Sequence, residues 1–348
     1  MNPYVLAILL SSLGMGTTLT FASSHWLLAW MGLEINTLAI TPLMAQQHHP
    51  RAVEATTKYF LTQATAAAMI LFAATTNAWI TGEWDINNLS HPIASTMTIT
   101  ALALKIGLAP MHFWLPEVLQ GLDLLTGLIL STWQKLAPFA LIIQVAPTID
   151  PLMLTSLGLL STLVGGWGGL NQTQVRKILA YSSIAHMGWM IIILQYAPQL
   201  TLLALSTYIF MTSTAFLSLK MASATKISTM TMMWSKTPIL VSTTALALLS
   251  LGGLPPLTGF MPKWLILQEM AKQELPLTAT IMALAALLSL YFYLRLCYAM
   301  TLTISPNTTN ATTPWRLKTT QSTIILALST TIALGLLPVT PAILALTT

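Results

Sequence analysis

Long apolar runs, separated by short polar or Pro/Gly-rich segments, make up most of the sequence. A helix needs about 20 apolar residues to cross a hydrocarbon core about 30 Å thick, and most of these runs reach that length. The pattern predicts an all-α, polytopic membrane protein with about eleven transmembrane helices. The predicted spans cover residues 3–21, 25–44, 58–80, 92–114, 126–145, 151–170, 178–195, 200–221, 238–270, 275–300 and 322–346.

The run from 238 to 270 is too long for one straight helix, which would extend about 50 Å. It contains a cluster of helix-breaking residues: Gly252, Gly253, Pro255, Pro256, Gly259 and Pro262. Backbone opened at membrane depth is tolerated where protein buries it or where it lines water. Because Lys263 follows the interruption directly, the segment predicts an ion pathway.

Composition agrees with a membrane protein and excludes several other classes. Of the 348 residues, 55% are hydrophobic and 7% are charged, whereas soluble domains carry about 25% charged residues. The single cysteine, Cys297, excludes an intrachain disulfide and an iron–sulfur cluster held by this chain alone. The sequence has no nucleotide-binding loop, haem ligand pair or nucleophile triad. We therefore expect no redox centre in this chain.

Basic residues concentrate on one side of the predicted topology. With the N-terminus on side A, ten lie on that side and only Lys272 lies on side B. The ten are Arg51, Lys58, Arg176, Lys177, Lys220, Lys226, Lys236, Arg295, Arg316 and Lys318. Positive loops stay on the cytoplasm-like side, which is the matrix in a mitochondrion, so we expect the N-terminus there. This sidedness explains the net charge of +5 without any nucleic-acid partner.

Two interrupted spans indicate an internal repeat. The fourth and ninth spans both contain an interior lysine beside a Pro/Gly interruption: Lys105-Ile-Gly-Leu-Ala-Pro110 in the fourth, and Gly-Leu-Pro-Pro followed by Lys263 in the ninth. Each of these spans is the fourth in a set of five. Since five is odd, the second set must be inverted, as in secondary transporters. We predict one membrane domain at residues 1–300, with repeats at about 1–145 and 151–300. Residues 301–348 form a loop, polar over 305–318, and a C-terminal transmembrane helix.

Four ionisable residues lie inside predicted spans: Glu34, Lys105, Lys135 and Lys263. Each such charge costs about 2.5–3.5 kcal/mol on an insertion scale. Structural salt bridges are the alternative explanation, but one acid cannot neutralise three bases. We interpret the set as a proton relay in which Glu34 and Lys105 lie near enough to couple their titrations.

The two interrupted spans place their lysines differently. Lys105 precedes its interruption, at the negative end of a half-helix, whereas Lys263 follows its own and should face the positive end of the next half-helix.

Two histidines are candidates with open alternatives. His186 lies mid-span and either bridges two lysines through water or is a hydrogen-bonded core residue. His112 follows the first interruption with Glu117, where it either shapes proton uptake or release or orders the loop.

A glycine-rich segment, Gly165–Gly169, lies inside an apolar span with no strand before it. It predicts close packing of helices rather than a phosphate loop.

Ordered motifs along nearly the whole chain resemble one family. They are Trp30–Asn36, Lys58–Ala64, Lys105–Glu117, Trp133–Pro138, Gly168–Gln174, Arg176–Ser183, His186–Trp189, Leu251–Gly259 and Leu290–Leu296. They are similar to the subunit-two family of NADH dehydrogenase. That family consists of antiporter-like, proton-pumping subunits of respiratory complex I and is mitochondrially encoded in vertebrates. The similarity is weakest after Met300.

The resemblance carries further expectations. It implies eleven helices, as in animal members, and a proton path through Glu34, Lys105, Lys135 and Lys263 that quinone reduction elsewhere drives. It implies that NADH, flavin (FMN), iron–sulfur clusters and ubiquinone are bound by other subunits. It also implies the inner mitochondrial membrane, with lipids, a neighbouring antiporter-like subunit and small core and accessory subunits as partners.

Two rival functions follow from the same residues. A free-standing cation/proton antiporter would have similar helices but would purify without NADH:ubiquinone activity. A structural membrane scaffold would contain inert buried charges, and Lys105→Ala would leave its assembly and proton pumping normal.

Overall fold

The computed structural model describes residues 2–46, 48–303 and 323–347. The chain forms two compact units, Met1–Gly158 and Leu159–Thr348. Within the described residues the secondary structure is helical, and extended pairing is limited to isolated bridges of His25 with Asp85 and of Gln174 with Lys226. The predicted all-α class is therefore confirmed.

The first unit contains seven α-helices among its described residues. They are α1 (Pro3–Ala22), α2 (Trp26–Met44), α3 (Pro50–Thr81), α4 (Pro92–Ile106), α5 (Trp114–Gly121), α6 (Leu124–Ser131) and α7 (Trp133–Val145), followed by a 3₁₀ turn at Ala146–Thr148. Helix α8 (Pro151–Gly169) begins in this unit and ends in the second. Several of these helices begin with proline, whose fixed φ and missing N–H suit a first helical turn.

Loops of the first unit meet at two opposite ends. At one end the Trp26 amide donates to the Trp84 carbonyl at 3.1 Å, and the His25 ring stacks on Trp84 with centroids 5.6 Å apart. At the other end α5 finishes beside the start of α3, where a Cβ on Gly121 would lie 2.5 Å from the Arg51 carbonyl oxygen. Helices α4 and α5 together therefore run between the same two ends as α3, in the opposite direction.

The second unit contains the remaining helices of the described chain. They are α9 (Val175–Ile193), α10 (Pro198–Met221), α11 (Ile227–Thr231), α12 (Pro238–Gly252), α13 (Phe260–Lys272), α14 (Pro276–Thr301), α15 (Ile324–Gly335) and α16 (Thr340–Thr347). Loops join one end of this unit, because the Val175 amide donates to the Thr225 carbonyl at 3.1 Å and the Arg295 guanidinium donates to the Leu170 carbonyl at 2.7 Å. The predicted side A residues near Arg176, Lys226 and Arg295 thus lie together.

Among the described helices, seven are long and apolar enough to cross a membrane, or eight if the bent pair at 324–343 is one span. The fold is therefore that of a multi-pass membrane protein. The eleven-span count stays a prediction, since the two interrupted spans and α9 fall outside that set. The predicted C-terminal helix is bent by 62° where Gly335 and Pro338 interrupt it. The polar loop 305–318, with Arg316 and Lys318, lies outside the described residues.

Glycines allow close packing in the second unit. A Cβ on Gly165 would lie 2.6 Å from the Ala185 amide nitrogen, and one on Gly169 would lie 2.8 Å from the Phe292 ring. Helix α8 therefore approaches α9 and α14 closely through its glycine face, and the predicted packing role of this segment is confirmed.

Gly165→Ala should destabilise the protein by about 1–3 kcal/mol, because the Ala185 backbone cannot move away from the added methyl without shifting a helix. Thermal unfolding of the purified, assembled protein measures this. Gly14→Ala is the control, because its Cβ would meet no atom of the described residues within 4 Å. Equal unfolding midpoints for the two variants would contradict the packing argument.

Candidate functional site

The two interruptions have the same backbone construction. Gly107 (φ 84°) directly follows α4 and Gly253 (φ 80°) directly follows α12, both in the left-handed region that glycine adopts most easily. The next amide in each case bonds back five residues, from Leu108 to the Ala103 carbonyl at 2.9 Å and from Leu254 to the Leu249 carbonyl at 3.4 Å. These are the bonds of a Schellman cap.

The helix also resumes at the same distance after each interruption. Trp114 follows Gly107, and Phe260 follows Gly253, by seven residues in both cases. In this register Lys105 aligns with Leu251 and Lys263 aligns with Glu117, so the two lysines lie on opposite sides of their interruptions, as the sequence predicted. The inverted repeat itself stays a prediction.

In the first unit, Lys105 and Lys135 line one small cavity. Lys105 lies in the last turn of α4 and Lys135 in α7, and their side chains are 6% and 3% exposed. The cavity has about 10 Å³ of water-sized space, which is enough for about one water molecule. Its polar lining also includes Asn36, Tyr59, Gln63 and Gln134. The structure therefore brings together two of the predicted lysines.

Glu34 lies beside this cavity rather than in its wall. Its side chain on α2 is partly buried, and its carboxylate is near enough to act electrostatically on the Lys105 amine and the Tyr59 hydroxyl. Within the described part of the chain, no ion pair within 4.0 Å joins Glu34 to a base. The coupled titration of Glu34 and Lys105 stays a prediction.

In the second unit, Lys263 and His186 line another small cavity. Its water-sized space is again about 10 Å³, and Thr207 and Met211 of α10 complete part of the wall. The His186 ring lies 5.6 Å from the buried Tyr208 ring, centroid to centroid. Among the described residues, those that line this cavity include no carboxylate.

The Lys263 amine points back across its own interruption. Its Nζ donates to the Gly252 carbonyl at 2.8 Å and lies 3.4 Å from the Leu251 carbonyl oxygen. These carbonyls are the unsatisfied negative end of α12. The expectation that Lys263 faces the positive end of the following half-helix is therefore wrong, because its flexible side chain reaches the preceding one.

At the end of α4, one carbonyl accepts a hydrogen bond from a tryptophan. The Trp114 indole Nε1, at the start of α5, donates to the Leu104 carbonyl at 3.0 Å. A neutral indole N–H thus donates to a carbonyl at the end of α4, whereas the cationic Lys263 amine donates to a carbonyl at the end of α12.

His112 lies within the first interruption but not in the cavity wall. Its ring is buried and packs against Phe113, with centroids 4.4 Å apart. Nearby, Lys58 lies 2.8 Å from both Glu117 and Glu54 in an exposed ion cluster. The i, i+4 spacing of Glu54 and Lys58 is the only sequence signal for that cluster. The role of His112 stays a prediction.

Sequence reasoning did not select the amide side chains of the first cavity. Asn36, Gln63 and Gln134 lie within apolar spans, where an uncharged polar side chain is itself a signal. Across the described ranges, no group of three or more His, Cys, Asp and Glu side chains is arranged to hold a metal ion.

Paired helix interruptions and buried lysines define an antiporter-like membrane subunit, and comparisons with known proteins agree. The family described as NADH:quinone oxidoreductase/Mrp antiporter matches residues 23–289. The family described as NADH dehydrogenase subunit 2 C-terminus matches residues 290–344.

Individual relatives agree with these matches. NADH-ubiquinone oxidoreductase chain 2 of Carassius auratus is 83% identical over 348 residues, 100% of both chains. The chain 2 of Formosania lacustris is 83% identical over 346 residues, 99% of both. A chain in the structure of respiratory complex I from Thermus thermophilus is 30% identical with a TM-score of 0.87, covering 99% of this chain and 80% of that one.

The chain belongs to the NADH-ubiquinone oxidoreductase chain 2 family. It is a proton-translocating, antiporter-like subunit of the membrane arm of complex I, as the resemblance of its motifs predicted.

Gly253→Ala should impair the Lys263 site more than Gly107→Ala impairs its own interruption. Both variants place alanine in a left-handed conformation at a cost of about 1–2 kcal/mol. Only at Gly253 would the Cβ also collide with the lysine, 2.9 Å from Lys263 Cδ and 3.0 Å from its Nζ, whereas at Gly107 the nearest atom is Leu115 Cβ at 3.4 Å. We expect similar thermal destabilisation but slower proton translocation only in Gly253→Ala. Equal translocation rates would refute the carbonyl cradle for Lys263.

Proposed function

We propose that Glu34, Lys105, Lys135 and Lys263 form the proton relay of this subunit. The observation that carries the proposal is that the three lysines line two small cavities, one in each unit. Among the described residues, no ion pair within 4.0 Å joins Lys105 or Lys263 to an acid. A lysine amine beside a water-sized cavity can exchange its proton with a water molecule there, whereas a tight ion pair would hold the proton.

Two amines that line one cavity can couple their protonation states through electrostatic repulsion. At an effective dielectric constant of about 20, two charges about 4 Å apart repel by about 4 kcal/mol, and still by about 2 kcal/mol at twice that distance. A proton arriving at Lys105 therefore favours loss of a proton from Lys135, and the reverse. Glu34 adds a negative charge near Lys105 that its own protonation removes. Each step in the relay changes the next through charge alone.

The second cavity holds its lysine differently. The ammonium group of Lys263 is stabilised by the carbonyls of Gly252 and Leu251, which remain in place whatever the protonation state of any acid. His186 faces the same cavity and is the second group there that can accept and donate a proton. We assign His186 to proton exchange with Lys263 through a water molecule. His112 we assign to proton uptake or release at the first interruption.

Energy for the relay comes from redox chemistry in other subunits of the complex. NADH, FMN, iron–sulfur clusters and ubiquinone are bound by those subunits in this proposal, and charge changes reach this chain through neighbouring membrane-arm subunits. These neighbours include a second antiporter-like subunit and small core and accessory subunits, with lipid covering the remaining apolar surface.

Lys105→Met, Lys135→Met and Lys263→Met should each reduce the proton translocation rate by about a hundredfold, the usual scale for a lost acid–base group. Methionine keeps most of the side-chain volume, so assembly should persist. NADH oxidation and vesicle acidification measured together on the assembled complex test this. Lys236→Met, at an exposed position, is the control. Normal translocation in the three variants would favour the inert scaffold, and a chain that translocates without NADH oxidation would favour a free-standing antiporter.

The protein is proposed to lie in the inner mitochondrial membrane with its N-terminus in the matrix. The concentration of basic residues on side A supports this orientation. Lys236 and Lys272 flank the interrupted α12–α13 segment and are both exposed, so they report opposite sides.

Lys236→Cys should react with a membrane-impermeant maleimide from the matrix side only, and Lys272→Cys from the intermembrane side only. Native Cys297 is buried and serves as the unreactive background. Labelling in the opposite sense would reverse the proposed topology.

A further inference from the structure

We propose that Asn36 and Gln63 form a water-binding site that carries protons between Lys105 and Lys135. The inference rests on the proposed relay and adds two positioning residues to it. Neither residue titrates, so neither can hold the proton itself. Their role is to hold a water molecule between groups that do.

Asn36 is almost completely buried with an amide group that needs partners. Its side chain is 2% exposed, and neither Oδ1 nor Nδ2 has a hydrogen-bond partner among the described residues. Its backbone carbonyl is already used, since it accepts from Gln134 Nε2 at 3.3 Å. Buried amides nearly always form hydrogen bonds, to protein or to ordered water.

Gln63 repeats this arrangement on the neighbouring helix. Its side chain is 3% exposed, and its Nε2 has no partner in the described part of the chain. The same holds for the Nζ of Lys105. Asn36, Gln63 and Lys105 all line the cavity that Lys135 lines. Donors and an acceptor thus converge on one space.

The size of that space fits a single water molecule. Its volume of about 10 Å³ is the least that holds a water, and a buried water typically makes two to four hydrogen bonds. Asn36 Oδ1 accepts, the amide nitrogens donate, and each lysine amine exchanges a proton with the water. A larger ligand would not fit.

Packing of α1 on α2 fixes the position of the Asn36 amide. A Cβ on Gly16 would lie 2.5 Å from Asn36 Oδ1, and one on Gly32 would lie 2.8 Å from the Gly16 carbonyl oxygen. The Trp30 indole, on α2, donates to the Ala67 carbonyl of α3 at 3.1 Å, one helical turn from Gln63. The α1 backbone therefore packs against the Asn36 amide, and the contact between α2 and α3 lies one helical turn from Gln63.

The test uses the complete complex in sealed vesicles, with NADH oxidation and proton translocation recorded together. Asn36→Leu and Gln63→Leu keep approximate size and remove the water-binding groups. We expect translocation to slow about tenfold or more. The slowing in D₂O should also exceed that of the wild type, because proton transfer across the cavity becomes limiting. Asn36→Ser, which keeps a hydroxyl and leaves space for water, should restore most of the rate.

A matched glycine pair tests position without changing the amides. Gly16→Ala should displace the Asn36 amide and reproduce the enlarged D₂O effect in milder form. Gly14→Ala, on the same helix, should behave as wild type, because its Cβ meets nothing within 4 Å. If either leucine variant fails to assemble, Gly16→Ala and Gly14→Ala still test whether proton translocation depends on the position of the Asn36 amide.

The outcomes separate this inference from the relay. Normal rates and isotope effects in both leucine variants, in complexes where Lys105→Met abolishes translocation, would overturn the water site and leave the relay standing. Slow translocation with an unchanged isotope effect and no recovery in Asn36→Ser would show a packing role only. Normal translocation in Lys105→Met would refute the proposed function itself.

Discussion

The free-energy cost of a charge among apolar side chains is the constraint on which the site depends. A lysine in the middle of a transmembrane helix must find polar partners within the protein, because lipid offers none. The structure provides these polar partners in two ways. In the first unit, buried amides surround Lys105 and Lys135. In the second, the carbonyl end of α12 receives the Lys263 amine. Among the described residues, neither Lys105 nor Lys263 forms a salt bridge.

The helix interruptions create the partners that the lysines use. A helix that ends inside the protein leaves carbonyl groups without intrahelical donors. At the first interruption the Trp114 indole takes one of these carbonyls, so Lys105 is free to face the cavity. At the second, Phe260 occupies the position that aligns with Trp114 and has no side-chain N–H to donate, and the Lys263 amine donates to the α12 carbonyls. The aligned position therefore holds Trp114 at one interruption and Phe260 at the other, and the surroundings of the two lysines differ accordingly.

The shared register gives the two interruptions a common backbone with different charges. Glu117 and Lys263 each follow a proline early in the resumed helix. Glu117 is half-exposed and lies within an ion cluster with Lys58, whereas Lys263 is directed inward to the α12 carbonyls. The same local geometry therefore supports an exposed ion cluster in one unit and a buried lysine bound to helix carbonyls in the other.

Sequence alone determined the membrane class, both interruptions and the four ionisable residues within the spans, because these depend on local composition and on Pro and Gly at fixed positions. It also placed the chain in its family through ordered motifs. Only the tertiary structure decided that Asn36, Gln63 and Gln134 join Lys105 and Lys135 around one cavity, since these residues lie on four different helices. It also decided the direction of the Lys263 side chain. Sequence spacing located its backbone correctly at the start of a half-helix, but a side chain with four rotatable bonds follows the nearest unsatisfied carbonyls, and the fold alone places those.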